Sequence, residues 1–189
     1  MKKNAALSAI DGIGFESHHI SAYFVKRKAK GEERYQMTTY TRYPKVGIVS
    51  DCKTHIILSG VPSRGPYPDI VHFEKAVTLA EKNVHLKVLT ADAGYDSEKS
   101  HTFAREVHNI RTIIPPNIGR KTTKLPSGKW RKIMATRFNK KLYGQRWQVE
   151  TVNSMIKRNL GLFLRARSFW SQYRKIMLRL FVHNIMIVW

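Results

Sequence analysis

Two short apolar runs, each ending in an aspartate, constrain most what this chain can fold into. Leu7 to Ile10 ends at Asp11-Gly12, and His85 to Ala91 ends at Asp92. Runs of that length, closed by turn residues, read as buried strands that deliver a carboxylate. Between them, Tyr35 to Val49 reads as a strand that tolerates an interruption at Tyr43-Pro44. His55 to Val61 reads as its partner, joined through residues 51–54. Pro62 to Pro68 reads as a loop. Asp69 is placed to N-cap a helix over Ile70 to Lys82, where Ile70, Phe73, Val77 and Ala80 have helical spacing. Asp96 is placed to cap a second helix, Ser97 to His108, with Glu98 in its first turn. Ile110 to Ile114 is a short strand, residues 117–131 a basic loop, Thr136 to Leu160 a long helix and Phe169 to Trp189 a last one. Strands first, then helix–strand–helix–strand, then helices, specify an α/β domain: a mixed sheet covered by helices.

A chain of 189 residues suits one such domain and buries a sizeable core without disulfides. No internal repeat or linker divides it. The formal charge is +21, unevenly spread: residues 1–106 carry net +4 and residues 107–189 net +17. Such asymmetry implies a polyanionic partner, DNA or RNA first, with a ribosomal or anionic membrane surface as the alternatives. The single Cys52 leaves no disulfide framework and no thiolate metal site, and suits a reducing cytoplasm. The eight histidines show no ligand spacing, which argues against zinc. The run Ala5 to Ile10 is too short for a signal peptide. Arg174, Lys175, Arg179 and His183 interrupt the apolar C-terminus, so it reads as a buried helix and not a membrane span.

Glu150 is the one acid after Val107, among eighteen Lys and Arg. In a helix, Tyr143, Arg146, Glu150 and Lys157 fall within an arc of about 60° on one face. If the strands ending at Asp11 and Asp92 are adjacent and parallel, their carboxylates meet at one sheet edge, where α/β sites form. A helix packed across that edge would add Glu150. Three converging carboxylates repel unless a cation neutralises them, and hard oxygen donors favour Mg²⁺ or Mn²⁺. Each residue also has an ordinary reading. Asp11-Gly12 can be a turn, Asp92 a strand end, Asp96 a cap, and Glu150 a plain ion pair with Arg or Lys. Asp51 rivals Asp11 but sits where a hairpin turn belongs.

These residues resemble the DDE transposases of bacterial and archaeal insertion sequences, of the IS-four/IS-five-like group. The match rests on Ala9-Ile10-Asp11-Gly12 with Gly14-Phe15, on Thr90-Ala91-Asp92-Ala93-Gly94-Tyr95-Asp96-Ser97, and on the Tyr143, Arg146, Glu150, Lys157 spacing. The resemblance implies an RNase H-like fold, a mixed five-stranded sheet flanked by helices. It implies that Asp11, Asp92 and Glu150 are catalytic and bind two divalent ions, Mg²⁺ or Mn²⁺, for DNA strand cleavage and strand transfer. Tyr143, Arg146 and Lys157 would then contact phosphates or an unstacked base. The basic loop, with Arg120, Lys121, Lys124, Trp130 and Arg131, would track phosphates, its ordinary reading being a solvated loop. Members of the group usually carry an N-terminal DNA-binding segment, and ten residues precede Asp11 here, so the chain is expected to lack it. The expected partners are transposon-end and target DNA, with a homodimer if two ends are brought together. The competing expectations are a nuclease that cuts without joining and a truncated remnant that only binds DNA.

Overall fold

The structure, a computed structural model, describes residues 3–17, 42–117 and 124–189. In chain order come β1 (Lys3–Ala5), β2 (Ser8–Gly14), β3 (Glu16–Ser17), β4 (Tyr43–Asp51) and β5 (Ile57–Gly65). A 3-10 turn at Asp69–His72 enters α1 (Phe73–Glu81), followed by β6 (Val84–Leu86) and β7 (Val88–Ala91). The short turn Ala93–Tyr95 precedes α2 (Glu98–Thr102), which runs into a π-helical turn, and then comes β8 (Arg111–Ile113). The remainder is α3 (Lys129–Thr136), α4 (Lys140–Tyr143), α5 (Trp147–Leu160), β9 (Phe163–Leu164) and α6 (Phe169–Val188).

The main sheet has the order β5-β4-β2-β7-β8. Strand β2 is antiparallel to β4 and parallel to β7, and β7 is parallel to β8. Both faces of β2 are covered, so its residues are apolar on both sides instead of alternating. Ile10, Val49, Leu89 and Ala91 face Phe73, Val77 and Tyr95, while Ala9, Ile13, Val46 and Ile48 face Val149, Val152, Ile156 and Leu180. The mixed five-stranded sheet and its flanking helices are those expected.

Several boundaries differ, each for a non-local reason. Strand β2 does not stop at Asp11 but continues to Gly14, because β4 pairs with it throughout, Asp11 opposite Ile48. The parallel partner β7 ends at the rung Ile10–Ala91, so Asp11 lies at the end of that pairing and inside its own strand. Strand β5 runs through Pro62 to Gly65, where a loop was expected; it is an edge strand, and an edge position spares proline a missing ladder bond. The expected strand His85–Ala91 is two pieces, since β6 pairs with β1 and β7 joins the main sheet. The expected helix 136–160 is broken, because Asn139 accepts a bond from the Leu142 amide at 3.0 Å and starts α4 anew. The basic loop ends early, with α3 starting at Lys129, and residues 35–41 of the expected first long strand lie outside the described residues. Asp51 does sit in the hairpin turn, accepting from the Thr54 amide and hydroxyl.

Neither expected aspartate cap is used. Pro68 precedes the first helical turn without a side-chain cap, and Asp69 instead pairs with Lys45 at 2.7 Å. Ser97 caps α2 through the Ser100 amide at 3.0 Å, which leaves Asp96 for another task. The Asp96 side chain is fully buried and accepts from Arg131 Nε (2.9 Å) and from the Asn117 amide (2.8 Å). Its other oxygen faces His101 Nε2 at 3.5 Å. The Thr112 hydroxyl accepts from Arg105 Nε at 2.7 Å and is also hydrogen-bonded to His101 Nδ1 at 2.7 Å.

Burial pushes the Asp96 carboxyl up, but the bonds from His101, Arg131 and Asn117 outweigh it and hold it below the ordinary range. A folded-state value below the unfolded one stabilises the fold above about pH 4 and is lost as pH falls through the folded value. Asp96→Asn is expected to cost roughly 2–3 kcal/mol at pH 7 and to flatten this part of the acid limb, as read in urea melts at pH 7 and pH 3.

Candidate active site

The notch where β7 stops and β2 continues collects the polar side chains. Asp92, one residue past the last β7 rung, is exposed, and its carboxylate accepts from the Ala93 amide at 2.6 Å. Asp11, one residue past the same rung on β2, accepts from Asn153 Nδ2 of α5 at 2.9 Å. Glu150 stands one turn earlier on α5, about half exposed, and is ion-paired with Arg146. The Arg146 guanidinium lies 6.0 Å from the Tyr143 ring centroid. Lys157 is exposed further along the same helix.

The opposite side of the notch holds Asp69 and Lys45. Gly12 has no side chain because one would collide with the Asp69 carboxylate, so the glycine lets Asp69 close onto β2. Buried Lys45 neutralises Asp69 and also donates to the Tyr67 carbonyl at 3.3 Å. The Tyr95 hydroxyl is buried without a hydrogen-bond partner and lies in the field of Asp69, Asp11 and Asp92.

Electrostatics tie these groups into one site. Burial raises the Asp11 carboxyl above its ordinary value; the Gly12 amide and Arg146 oppose this, while Asp69 and Glu150 add to it. Arg146 loses some proton affinity to burial, but Glu150, Tyr143 and Asp92 more than restore it. Asp11 thus feels both Glu150 and Arg146, and Arg146 feels Asp92.

The residues expected on nucleic acid divide. Arg120 and Lys121 lie outside the described residues. Lys124 is exposed. Trp130 donates its indole N–H to Glu106 at 2.9 Å, and its ring lies under Arg105 and Lys129. Arg131 is committed to Asp96, and the backbone amides of Trp130 and Arg131 both donate to Glu98. Asn153, Asp69 and Lys45 were not anticipated. A short amide beside the apolar stripe Val149, Val152, Ile156 was the visible signal for Asn153; the Lys45–Asp69 pair left none.

The donor set suits a hard divalent cation in kind: carboxylates on adjacent strands, one desolvated and crowded by like charge, with a buried Asn153 Oδ1 that has no partner beside them. As placed, no three acid, His or Cys side chains among the described residues are gathered closely enough to enclose an ion, and Glu150 is paired with Arg146.

The sheet order, the parallel β2–β7 pair and the helix across its edge make a mixed α/β domain consistent with an RNase H-like fold. Residues 3–185 match the family model described as "Transposase DDE domain", and the chain belongs to that family. The fold is similar to that in the "Cryo-EM structure of piggyBac transposase synaptic complex with hairpin DNA", with TM-score 0.59 and 14% identity. That match covers 98% of this chain and 47% of the other, so the chain spans about half that transposase's length. No curated protein matches it. No helix among the described residues is long and apolar enough to cross a membrane.

A raised folded-state value means that Asp11 favours folding at low pH and that this contribution is lost as pH rises through the folded value. In EDTA at pH 7, Asp11→Asn is therefore expected to melt above the wild type, with the two converging near pH 3. Equal melting temperatures at pH 7 would contradict the burial penalty, added to by Asp69 and Glu150, that raises Asp11.

Proposed function

We propose that this domain cleaves DNA strands at the ends of an insertion sequence and joins the freed 3′-OH to target DNA. The observation that supports the reading is the parallel β2–β7 pair, after whose last rung Asp11 and Asp92 each come next in their strands, with Asn153 of the Glu150 helix bonded to Asp11. Asp11, Asp92 and Glu150 would hold two Mg²⁺ or Mn²⁺ ions, which supply charge neutralisation for the entering and leaving oxygens of phosphodiester displacement. Asp11 is held by Asn153 as an acceptor. Glu150 is released to the site when a backbone phosphate takes over Arg146. An exposed ion pair is worth about 0–1 kcal/mol, less than a bidentate Arg–phosphate contact returns. Tyr143 offers a face to an unstacked base, and Lys157 a point charge to phosphate. Lys124 offers a further exposed cation, whereas Arg131 and Trp130 serve the fold first. In this reading the assembly is a homodimer holding two ends.

An oligonucleotide carrying the element's end, incubated with Mg²⁺ or Mn²⁺, tests this. Cutting and joining are expected, both reduced at least about 10³-fold by Asp92→Asn or Glu150→Gln. Cutting without joining would favour a nuclease, and salt-sensitive binding without cutting a DNA-binding remnant. Separately, Arg146→Gln and Lys157→Gln are each expected to lower the slope of log affinity against log salt by about 1. An unchanged slope would remove that residue from the DNA surface.

A further inference from the structure

We propose that the outer face of α6 is the surface on which two copies of this chain pair, with the two helices antiparallel. The inference goes beyond the proposed reaction and holds without DNA. The inner face of α6 is fixed by its contacts. Ile176, Leu180 and His183 are buried. Leu180 lies over Gly60 of β5, where any side chain would collide with it. His183 Nε2 donates to the His55 carbonyl at 3.0 Å. Asn184 accepts from the Ile57 amide and donates to the Ile57 carbonyl, each at 2.8 Å. These bonds set the rotation of the helix about its axis, so the opposite face cannot turn inward.

That opposite face is apolar. At about 100° per residue, Trp170, Leu178, Phe181, Ile185 and Val188 fall within an arc of roughly 80°. Among the described residues they meet no cover, with Leu178 60%, Phe181 63% and Val188 74% exposed. A surface helix ordinarily turns charge outward. Here the last four of these residues instead recur at spacings of three, four and three, the seam by which two helices pack together. From Trp170 to Val188 the stripe runs about 27 Å, and a helix pair of that length covers several hundred Å² a side, close to the roughly 800 Å² per partner of a stable interface.

Charge selects the partner and its direction. The helix holds Arg174, Lys175 and Arg179 and no acid, and residues 180–189 hold no Lys, Arg, Asp or Glu at all. Arg179 is engaged with the Gly161 and Phe163 carbonyls, which leaves Arg174 and Lys175 as the exposed pair. A polyanion finds no cation along the second half of the stripe, whereas a second apolar stripe matches it. A parallel pair would set Arg174 and Lys175 against their own copies. An antiparallel pair sets each basic turn beside the partner's uncharged last turns, where the carbonyl end of a helix favours a cation.

Sedimentation equilibrium of the full chain without DNA tests this. A monomer–dimer equilibrium is expected that tightens as sodium sulfate is raised, because the salt screens the two positive copies from each other and strengthens apolar burial. Association bridged by contaminating DNA would weaken with salt instead, and would overturn the proposal. Leu178→Ser with Phe181→Ser is expected to weaken dimerisation on the order of 100-fold. Thermal melts of the dilute monomer are expected to stay at the wild-type value, since both positions face solvent. In a Cys52→Ser background, Arg174→Cys mixed with Val188→Cys is expected to give mixed disulfide-linked dimers. Arg174→Cys linked to its own copy would overturn the antiparallel arrangement. A chain still monomeric at about 100 µM would overturn the interface, as would dimers that persist in the double variant. Phosphatidylglycerol vesicles that bind the monomer but not the double variant would give the face to a lipid surface and overturn it equally.

Discussion

The site depends on three parallel rungs between β2 and β7: Ser8 with Leu89, Ala9 with Thr90, and Ile10 with Ala91. Because β7 turns away after the third rung while β4 carries β2 onward, a notch opens on one side of a strand still held on the other. Asp11 and Asp92 occupy that notch by register, not by any local preference. Burying each large aliphatic side chain on the two faces is worth about 1.5–3 kcal/mol, so the core holds the pairing that the carboxylates alone would push apart. Val149, Val152 and Ile156 bring α5 down on the same strand and put Glu150 and Asn153 over its end.

Signals carried by adjacent residues were legible. The apolar runs before Asp11 and Asp92, the helical face around Glu150 and the alternation of strands and helices gave the mixed sheet and its covering helices. What escaped was set by partners distant in sequence. Asp69 reads as a cap because Lys45 and the space above Gly12 are invisible locally. Arg131 and Trp130 read as loop cations and a loop aromatic because Asp96, Glu98 and Glu106 lie 24 to 35 positions earlier. The break at Asn139 was a local signal overrun by a helical periodicity that continues on both sides of it.

Charge is partitioned by use. Asp96, Glu98 and Glu106, in and around α2, anchor the basic helix α3, whereas Asp11, Asp69 and Asp92 lie at the sheet edge. The buried Lys45 answers one of them internally, and Arg146 answers Glu150 at the rim. Under the proposed function, the excess positive charge of residues 107–189 that these carboxylates leave suits a polyanion.

Among the described residues β5 is one edge of the sheet, and Pro62 sits in its middle with exposed Arg64 two places on. A strand edge is ordinarily a template for another chain. A strongly basic protein drawn in many copies onto one polyanion would bring such edges together at high local concentration. An imino ring that donates no hydrogen, beside a fixed positive charge, makes this edge a poor template. In the proposed DNA-bound state, copies can then crowd together without their sheets fusing.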